Sequence, residues 1–203
     1  MPILSEPRLK QIRRFGTDIP GLTRKRADRR PYPPGQHGQA RRRKQSEYAR
    51  RLLEKQKVKA NYGLSERQMR KYFRQAAHDR GVTGDVLFAL LERRLANVVF
   101  RAGMAPTGPA ARQLVSHGHI RVDGKRIDRA SYSVQVHETI ELSLKIRENV
   151  HILDTLARRP SVAIPTYLSR ETDGFVARMI SDPIRADVPF IVDDRAIIEF
   201  YAR

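Results

Sequence analysis

The segment 85–132 constrains the fold most, because its apolar spacing changes from that of a helix to that of a strand. From Leu87 to Val98, apolar residues recur every three or four positions, which places them on one face of a helix. This spacing predicts a single helix over 85–101 that ends at Gly103.

A second helix and a hairpin are predicted after that glycine. Thr107 is a suitable N-cap for a short helix. The dipeptide Asp123-Gly124 then favours a type I′ turn inside a hairpin over 119–128. Residues 92–132 are therefore predicted to form a helix–helix–hairpin unit.

The chain beyond this unit combines short strands with one more helix. Alternating polar and apolar residues at 133–136 and 139–143 predict further strands of a small antiparallel sheet. A helix is predicted over 145–159, with Pro160 as its limit. The apolar, β-prone tail 196–201 predicts a terminal strand that docks on the protein.

Two helices are predicted before the opening segment. The first begins at its N-cap, Ser46, and runs to Tyr62. The second begins with a capping box of Ser65 and Gln68 and ends near Arg80. The sequence thus predicts an α+β fold: an N-terminal basic extension, a helical domain, then a helix–helix–hairpin unit on a small antiparallel sheet.

Residues 1–44 are predicted to be an extension rather than a domain. They combine prolines and four basic clusters with few large apolar residues. Too little apolar surface is available to offset the entropy lost on ordering the chain. Two interpretations stay open, a disordered tail and a segment that folds onto RNA.

The charge indicates a polyanionic partner. The chain has 40 Lys and Arg against 22 Asp and Glu, a net charge of +18. Residues 1–60 hold 18 of the basic and 5 of the acidic residues, which leaves +13. Solubility needs less charge than this, whereas a nucleic acid is a natural partner. An anionic membrane surface is the alternative, disfavoured because the basic half lacks a broad apolar face.

The residue content disfavours several other classes of protein. The chain has no cysteine, so it forms neither a disulfide framework nor a Cys-ligated zinc site, which fits a reducing cytosol. We expect no secretory signal, and no stretch approaches the roughly 18 apolar residues of a membrane span. There is no phosphate-binding glycine loop and no catalytic constellation. We therefore expect no enzyme activity, no cofactor and no metal.

The helix–helix–hairpin unit carries a predicted phosphate-binding surface. The helix N-terminus at 107–110 offers backbone donors to a phosphate, and the scarcity of aromatic residues argues against base stacking. For His117 and His119, RNA contact and an ordinary polar loop both stay open. The predicted RNA contacts of the unit are Arg93, Arg94, Arg101, Thr107, Arg112, His117, His119, Arg121, Lys125 and Arg126.

Further RNA contacts are predicted among the basic residues before residue 85. Gly35 and Gly38 allow close approach of another backbone. Lys55 and Lys57 face either solvent or phosphate. The predicted contacts are Arg13, Arg14, Gly35, Gln36, His37, Gly38, Arg42, Arg43, Lys44, Lys55, Lys57, Arg67 and Arg70.

Several motifs together resemble one known family. The long runs are LERRLANVVFR (91–101) and ARQLVSHGHI (111–120), joined by PPGQHG (33–38), EKQKV (54–58) and IEFY (198–201). They resemble the bacterial and plastid small-subunit ribosomal protein four family, over essentially the whole chain. The helix–helix–hairpin unit resembles the RNA-binding domain named after that family.

The resemblance implies a structural constituent of the small ribosomal subunit in the cytoplasm. It implies primary binding to the 5′ domain of 16S-type rRNA early in assembly. It also implies contacts with small-subunit proteins five and three, and a place near the mRNA entrance that affects translational accuracy. A secondary role as an mRNA repressor or transcription antiterminator stays open. An RNA-modifying enzyme with the same domain is the rival class, but residues 1–90 lack catalytic motifs.

The resemblance also implies a division of the chain. Its parts are a basic extension at 1–45, a helical domain at 46–90 with a returning C-terminal strand at 190–203, and an α+β RNA-binding domain at 91–189 whose RNA-binding unit covers about 92–150. The cysteine-free chain resembles the zinc-free form of the family. Gly108-Pro109 stands where relatives commonly have a basic residue, which puts one phosphate contact in question. The family's basic mRNA-entrance residues match Arg42, Arg43 and Lys44 best.

Overall fold

The computed structural model describes residues 7–25, 27, 30–40, 45–158, 160 and 162–202. The chain divides into two compact lobes. The first lobe is Met1–Leu87 with Phe190–Arg203, and the second lobe is Phe88–Pro189. Within the described ranges, no helix is long and apolar enough to span a membrane.

Helices and one small sheet make up the two lobes, as the α+β prediction required. In chain order the helices are α1 (Arg8–Phe15), α2 (Glu47–Asn61), α3 (Glu66–His78), α4 (Thr83–Glu92), α5 (Leu95–Arg101), α6 (Gly108–Ser116), α7 (Leu144–Arg147), α8 (Val150–Ala157) and α9 (Asp194–Tyr201). The strands are β1 (Ile120–Val122), β2 (Lys125–Arg126), β3 (Thr139–Leu142), β4 (Leu168–Arg170) and β5 (Val176–Met179). A 3₁₀ turn covers Arg185–Asp187.

The predicted N-caps of α2 and α3 are confirmed. Ser46 Oγ accepts a hydrogen bond from the Ala49 backbone N at 3.2 Å. Ser65 and Gln68 form the reciprocal capping box, with side chain to backbone distances of 3.2 and 3.1 Å. Each cap satisfies a backbone donor that has no partner inside its helix.

The basic extension contains a helix that the sequence analysis missed. Helix α1 buries Ile12 in a small cluster with Ile19, Leu22 and Ala60, the last of which lies on α2. The cluster is small, with Phe15 and Ala27 as its partly buried neighbours. A prediction based on total apolar content therefore underestimated this segment.

The predicted C-terminal strand is wrong, because residues 194–201 form helix α9. The Asp193 side chain caps it by accepting from the Ala196 backbone N at 3.1 Å. Apolar residues at 196, 197, 200 and 201 lie on one helical face, and α9 packs on α2. The cap and this spacing outweigh the β propensity of the apolar residues.

Glu66 joins α2, α3 and α9 through polar contacts. Its carboxylate lies 3.2 Å from Lys55 Nζ and 2.7 Å from Lys59 Nζ, and it accepts a hydrogen bond from the Tyr201 hydroxyl at 3.0 Å. Partial burial raises the pKa of Glu66, but hydrogen bonds from Lys59 and Tyr201 outweigh that effect and leave its pKa below 4.5. Burial lowers the pKa of Lys55, although Glu66 opposes the shift.

The second lobe is built on an antiparallel sheet whose described strands have the order β2-β1-β3-β5-β4. Ile120 and Val122 of β1 are buried, whereas Arg121 between them is exposed. Asp123 and Gly124 have φ angles of 47° and 76°, which confirms the predicted type I′ turn. The sheet thus buries one face and turns Arg121 and Arg126 of the hairpin outward.

The predicted helix over 85–101 is interrupted. Helix α4 ends at Glu92, and Arg94 adopts an extended conformation before α5 begins. The Leu95 backbone N donates to the Tyr132 carbonyl at 2.8 Å, and the Val134 backbone N donates to the Arg93 carbonyl at 2.8 Å. These tertiary bonds replace helical ones, and local periodicity does not reveal them.

Two further predictions in this lobe are corrected. Residues 133–136 do not form the predicted strand. Ser133 makes an isolated β-bridge to Arg94 instead. The predicted helix at 145–159 is divided into α7 and α8, and the Asn149 side chain caps α8 by accepting from the His151 backbone N at 2.9 Å. In both places a capping or bridging contact interrupts the regular pattern.

We predict that Glu66→Gln lowers the free energy of unfolding by about 2 kcal/mol at neutral pH. It leaves Lys55 and Lys59 buried without a carboxylate, and the estimate allows for a Glu66 side chain that is 34% exposed. Because the folded-state pKa of Glu66 is lowered, its stabilisation is present above pH 4.5 and is lost as the pH falls further. Urea unfolding at several pH values measures both effects.

The matched control is Glu47→Gln. Glu47 is exposed and lies 4.0 Å from Arg51, so we expect a change below about 0.5 kcal/mol. A loss of the same size in both variants would contradict the assignment of Glu66 as the central carboxylate.

Candidate nucleic-acid interface

The hairpin of β1 and β2 carries three exposed cations. Arg121 and Arg126 share its outer face, whereas Lys125 lies at the turn on the other face, opposite Val122. Arg121 pairs in register with Arg126, and Val122 pairs with Lys125. The side chains of Arg121, Lys125 and Arg126 are all exposed. Like charges on neighbouring strands repel, so this arrangement favours a bound anion between them.

Gly118 brings Arg126 close to the end of α6. Its φ of +73° suits glycine, and a Cβ built there would lie 2.1 Å from Arg126 Nε. The guanidinium therefore lies against the backbone beside His117 and His119. A basic cavity of about 500 Å³ opens here, with Arg121, Arg126 and Lys145 in its lining. The prediction for His117 and His119 stays open, but both line this cavity.

Thr107 caps α6 as predicted. Its Oγ1 accepts from the Ala110 backbone N at 3.3 Å, and Pro109 lies in the first turn, where no helical donor is needed. Thr107 is itself buried. Its role visible in the structure is therefore to begin the helix.

Arg94 and Arg112 are close enough to influence each other. Burial lowers the pKa of Arg112, and the positive charge of Arg94 lowers it further. Arg112 is half-buried, whereas Arg94 is only 3% exposed. The half-buried Arg112 is accessible to an anion, but Arg94 offers very little surface.

The predicted placement of Arg101 on a polar surface is wrong. Arg101 is 2% exposed, and its Nε lies 3.1 Å from Glu92 Oε2. The same carboxylate oxygen accepts from the Asn97 amide at 2.8 Å and from the Tyr167 hydroxyl at 2.7 Å. Burial raises the pKa of Tyr167, so the hydroxyl stays a donor at neutral pH. Arg101 also donates to the Asp187 carbonyl.

Arg93 is also occupied within the protein. Its guanidinium lies 2.6 Å from Asp182, and its side chain is 23% exposed. Its Nε is buried and has no hydrogen-bond partner among the described residues. The exposed carboxylate of Asp182 thus already pairs with Arg93, which weakens the case for a phosphate contact.

Lys55 and Lys57 do not face solvent, which was one of the two predicted alternatives, and each pairs with a glutamate. Lys55 is 5% exposed and contacts Glu66, with its Nζ also 4.0 Å from the centre of the Phe200 ring. Lys57 Nζ lies 2.6 Å from Glu54 Oε1 and is likewise buried. In contrast, Arg67 and Arg70 of α3 are exposed. Of these four predicted contacts before residue 85, only Arg67 and Arg70 are therefore accessible to RNA.

The described part of the basic extension also separates into internal and exposed groups. Arg13 donates to the carbonyls of Arg30, Tyr32 and Pro33 at 3.0–3.3 Å, which orders the loop after α1. A Cβ at Gly38 would lie 2.0 Å from the Pro33 carbonyl oxygen, so the close approach at Gly38 is to the chain's own backbone.

The structure describes only some of the remaining predicted RNA contacts of the extension. Arg42, Arg43 and Lys44 lie outside the described residues. The exposed members are Arg14, Gly35, Gln36 and His37.

One basic residue of the cavity was missed by the sequence analysis. Lys145 is exposed in α7 and lines the basic cavity beside the hairpin. No local pattern places α7 next to β1, since the backbone bond from Ser143 N to the His119 carbonyl at 2.8 Å that joins them is a long-range contact. Among the described residues, no cluster of three His, Asp or Glu is arranged to hold a metal ion.

The exposed cations of the hairpin, beside the C-terminal end of α6, are the arrangement expected of an RNA-binding module. Residues 93–140 match the S4 domain family, and residues 4–92 match the family described as ribosomal protein S4/S9 N-terminal domain.

The chain is 48% identical to the small ribosomal subunit protein uS4 of Synechococcus sp. (strain JA-2-3B'a(2-13)) over 97% of this chain and 96% of that protein. It is 45% identical to the uS4 protein of Methylobacillus flagellatus and 43% identical to that of Pelodictyon phaeoclathratiforme, over 97% and 96% of this chain and 96% of each relative. The chain belongs to the small ribosomal subunit protein uS4 family, whose members are structural, non-enzymatic proteins of the ribosome.

We predict stability effects of very different size for two arginine substitutions in the second lobe. Arg101→Met leaves Glu92 as a buried carboxylate without its cation, so the free energy of unfolding falls by about 3 kcal/mol. Arg121→Met changes an exposed strand residue, and we expect a change within about 0.5 kcal/mol. Chemical denaturation followed by circular dichroism compares the two. Equal losses would contradict the assignment of Arg101 as the internal arginine.

Proposed function

We propose that the chain binds small-subunit rRNA through the outer face of the β1–β2 hairpin and the adjoining end of α6. The observation that carries this proposal is the group of exposed cations Arg121, Lys125 and Arg126, held on a rigid turn beside the basic cavity. Folded RNA presents phosphates at fixed spacing, which a rigid array of cations matches well.

The proposed contacts are those predicted residues that the structure leaves accessible. In the second lobe they are Arg112, His117, His119, Arg121, Lys125 and Arg126, with Lys145 added from the cavity. In the first lobe they are Arg14, Gly35, Gln36, His37, Arg67 and Arg70. Arg42, Arg43 and Lys44 are retained from the family resemblance. The buried residues Lys55, Lys57 and Arg101 are left out because each already pairs with a glutamate of the protein.

The proposal extends to the place of the protein in the subunit. Similarity to uS4 proteins over nearly the whole chain supports primary binding to the 5′ domain of 16S-type rRNA, which nucleates assembly. It also supports contacts with small-subunit proteins five and three, and a position near the mRNA entrance that contributes to translational accuracy. The proposed compartment is the cytoplasm.

We predict tight, strongly salt-dependent binding of the protein to a 5′-domain fragment of 16S-type rRNA. The logarithm of the binding constant should fall by roughly 0.7–0.9 per phosphate contact for each tenfold increase in salt. Alanine at Arg121, Lys125 or Arg126 should weaken binding and reduce the slope by about one. Filter binding over a range of salt concentrations measures both quantities.

Two controls make this test specific. Arg158→Ala removes an exposed arginine that pairs with Asp154 at 2.9 Å, so the slope should barely change. An unrelated RNA duplex of equal length should bind much more weakly. If the duplex binds as tightly as the rRNA fragment, the protein does not recognise rRNA specifically, and a general or regulatory RNA-binding role becomes the better explanation.

A further inference from the structure

A second cavity adjoins the basic cavity and has a different lining. Its volume is about 340 Å³, and Pro106, Leu114, Ile146 and Ile152 supply apolar surface. The cavity lies within the second lobe, between α6 and the segment that contains α7 and α8. Its volume is at the lower end of the range for small-ligand sites, which suits a group the size of a nucleobase.

Polar side chains also line this cavity. Gln113, Asn149 and His151 are exposed side chains in its lining. Asn149 Oδ1 accepts from the His151 backbone N, so the Asn149 amide NH₂ is available as a donor. The amide of Gln113 offers both a donor and an acceptor. Amide groups of this kind read the hydrogen-bonding edge of a base without requiring charge.

The two cavities share His117 and His119 in their linings. The two imidazole rings lie edge to face with centroids 6.1 Å apart. On one side of the histidines, Arg121, Arg126 and Lys145 form a cationic surface. On the other side the surface is apolar with amide groups. A nucleotide has the same division, since its phosphate is anionic and its base is flat and uncharged.

We propose that the second cavity binds one unstacked base of an RNA, while the adjoining phosphate lies in the basic cavity. This inference rests on the proposed RNA-binding function and specifies what the interface recognises. Proteins read RNA sequence mainly at loops and bulges, where a base is free to leave the helix. Placing that base over Leu114 and Ile146 removes apolar surface from water on both partners.

The test uses RNA hairpins that differ at one bulged nucleotide. Four versions carry each of the four bases at the bulge, and a fifth is abasic there and keeps its sugar and phosphate. The full-length wild-type chain should bind at least one bulged RNA about tenfold more tightly than the abasic RNA, the size expected for accommodating one base. Equal affinity for all five RNAs overturns the proposal.

Variants separate the base site from the phosphate site. Ala110→Leu fills the cavity from α6, so it should bring the bulged and abasic RNAs to the same affinity. Lys125→Ala, at the hairpin turn, should weaken both RNAs by the same factor. If Ala110→Leu retains the tenfold preference, the base does not bind in this cavity.

A second pair of substitutions tests the proposal even if Ala110→Leu fails to fold. Gln113→Ala and His151→Ala change exposed residues, and their combination should reduce the base preference without altering the circular dichroism spectrum. An unchanged preference in this double variant also overturns the proposal. Failure of rRNA recognition in the salt titration contradicts the proposed function itself. Absence of a base preference in the wild-type chain, with intact rRNA binding, contradicts only this inference.

Discussion

The buried carboxylate of Glu92 is the interaction on which the second lobe depends. Its Oε2 accepts from Asn97 and Arg101 on α5 and from Tyr167 just before β4, at distances of 2.8, 3.1 and 2.7 Å. A charge removed from water is costly unless it is paired and hydrogen bonded. These donors are therefore required partners, and they hold the end of α4, the helix α5 and the sheet at one point.

The same constraint separates the basic residues into two groups. Arg101, Lys55 and Lys57 are buried, and each lies beside a glutamate that neutralises its charge. Arg121 lies on the outer face of β1 and Lys125 lies at the hairpin turn, and both side chains are exposed. A net charge of +18 thus overstates the charge available to RNA at any one surface.

Local signals in the sequence predicted those elements that are determined by their own residues. The caps at Ser65 and Thr107 and the turn at Asp123 are confirmed, because each involves a contact within three residues. The prediction failed where a distant backbone group decides the conformation. Helix 85–101 is interrupted because Leu95 donates to the carbonyl of Tyr132, and no spacing within the helix encodes that bond.

The sequence by itself determined the α+β class, the capped helices, the hairpin and the membership of the uS4 family, since these follow from local chemistry and extended similarity. The tertiary structure alone decided which cations face outward. Arg101 and Arg121 are equally basic in the sequence, yet one is 2% exposed beside Glu92 and the other is exposed on β1. The physical reason is that burial of a charge depends on a partner brought close by the fold, and chain spacing does not specify that partner.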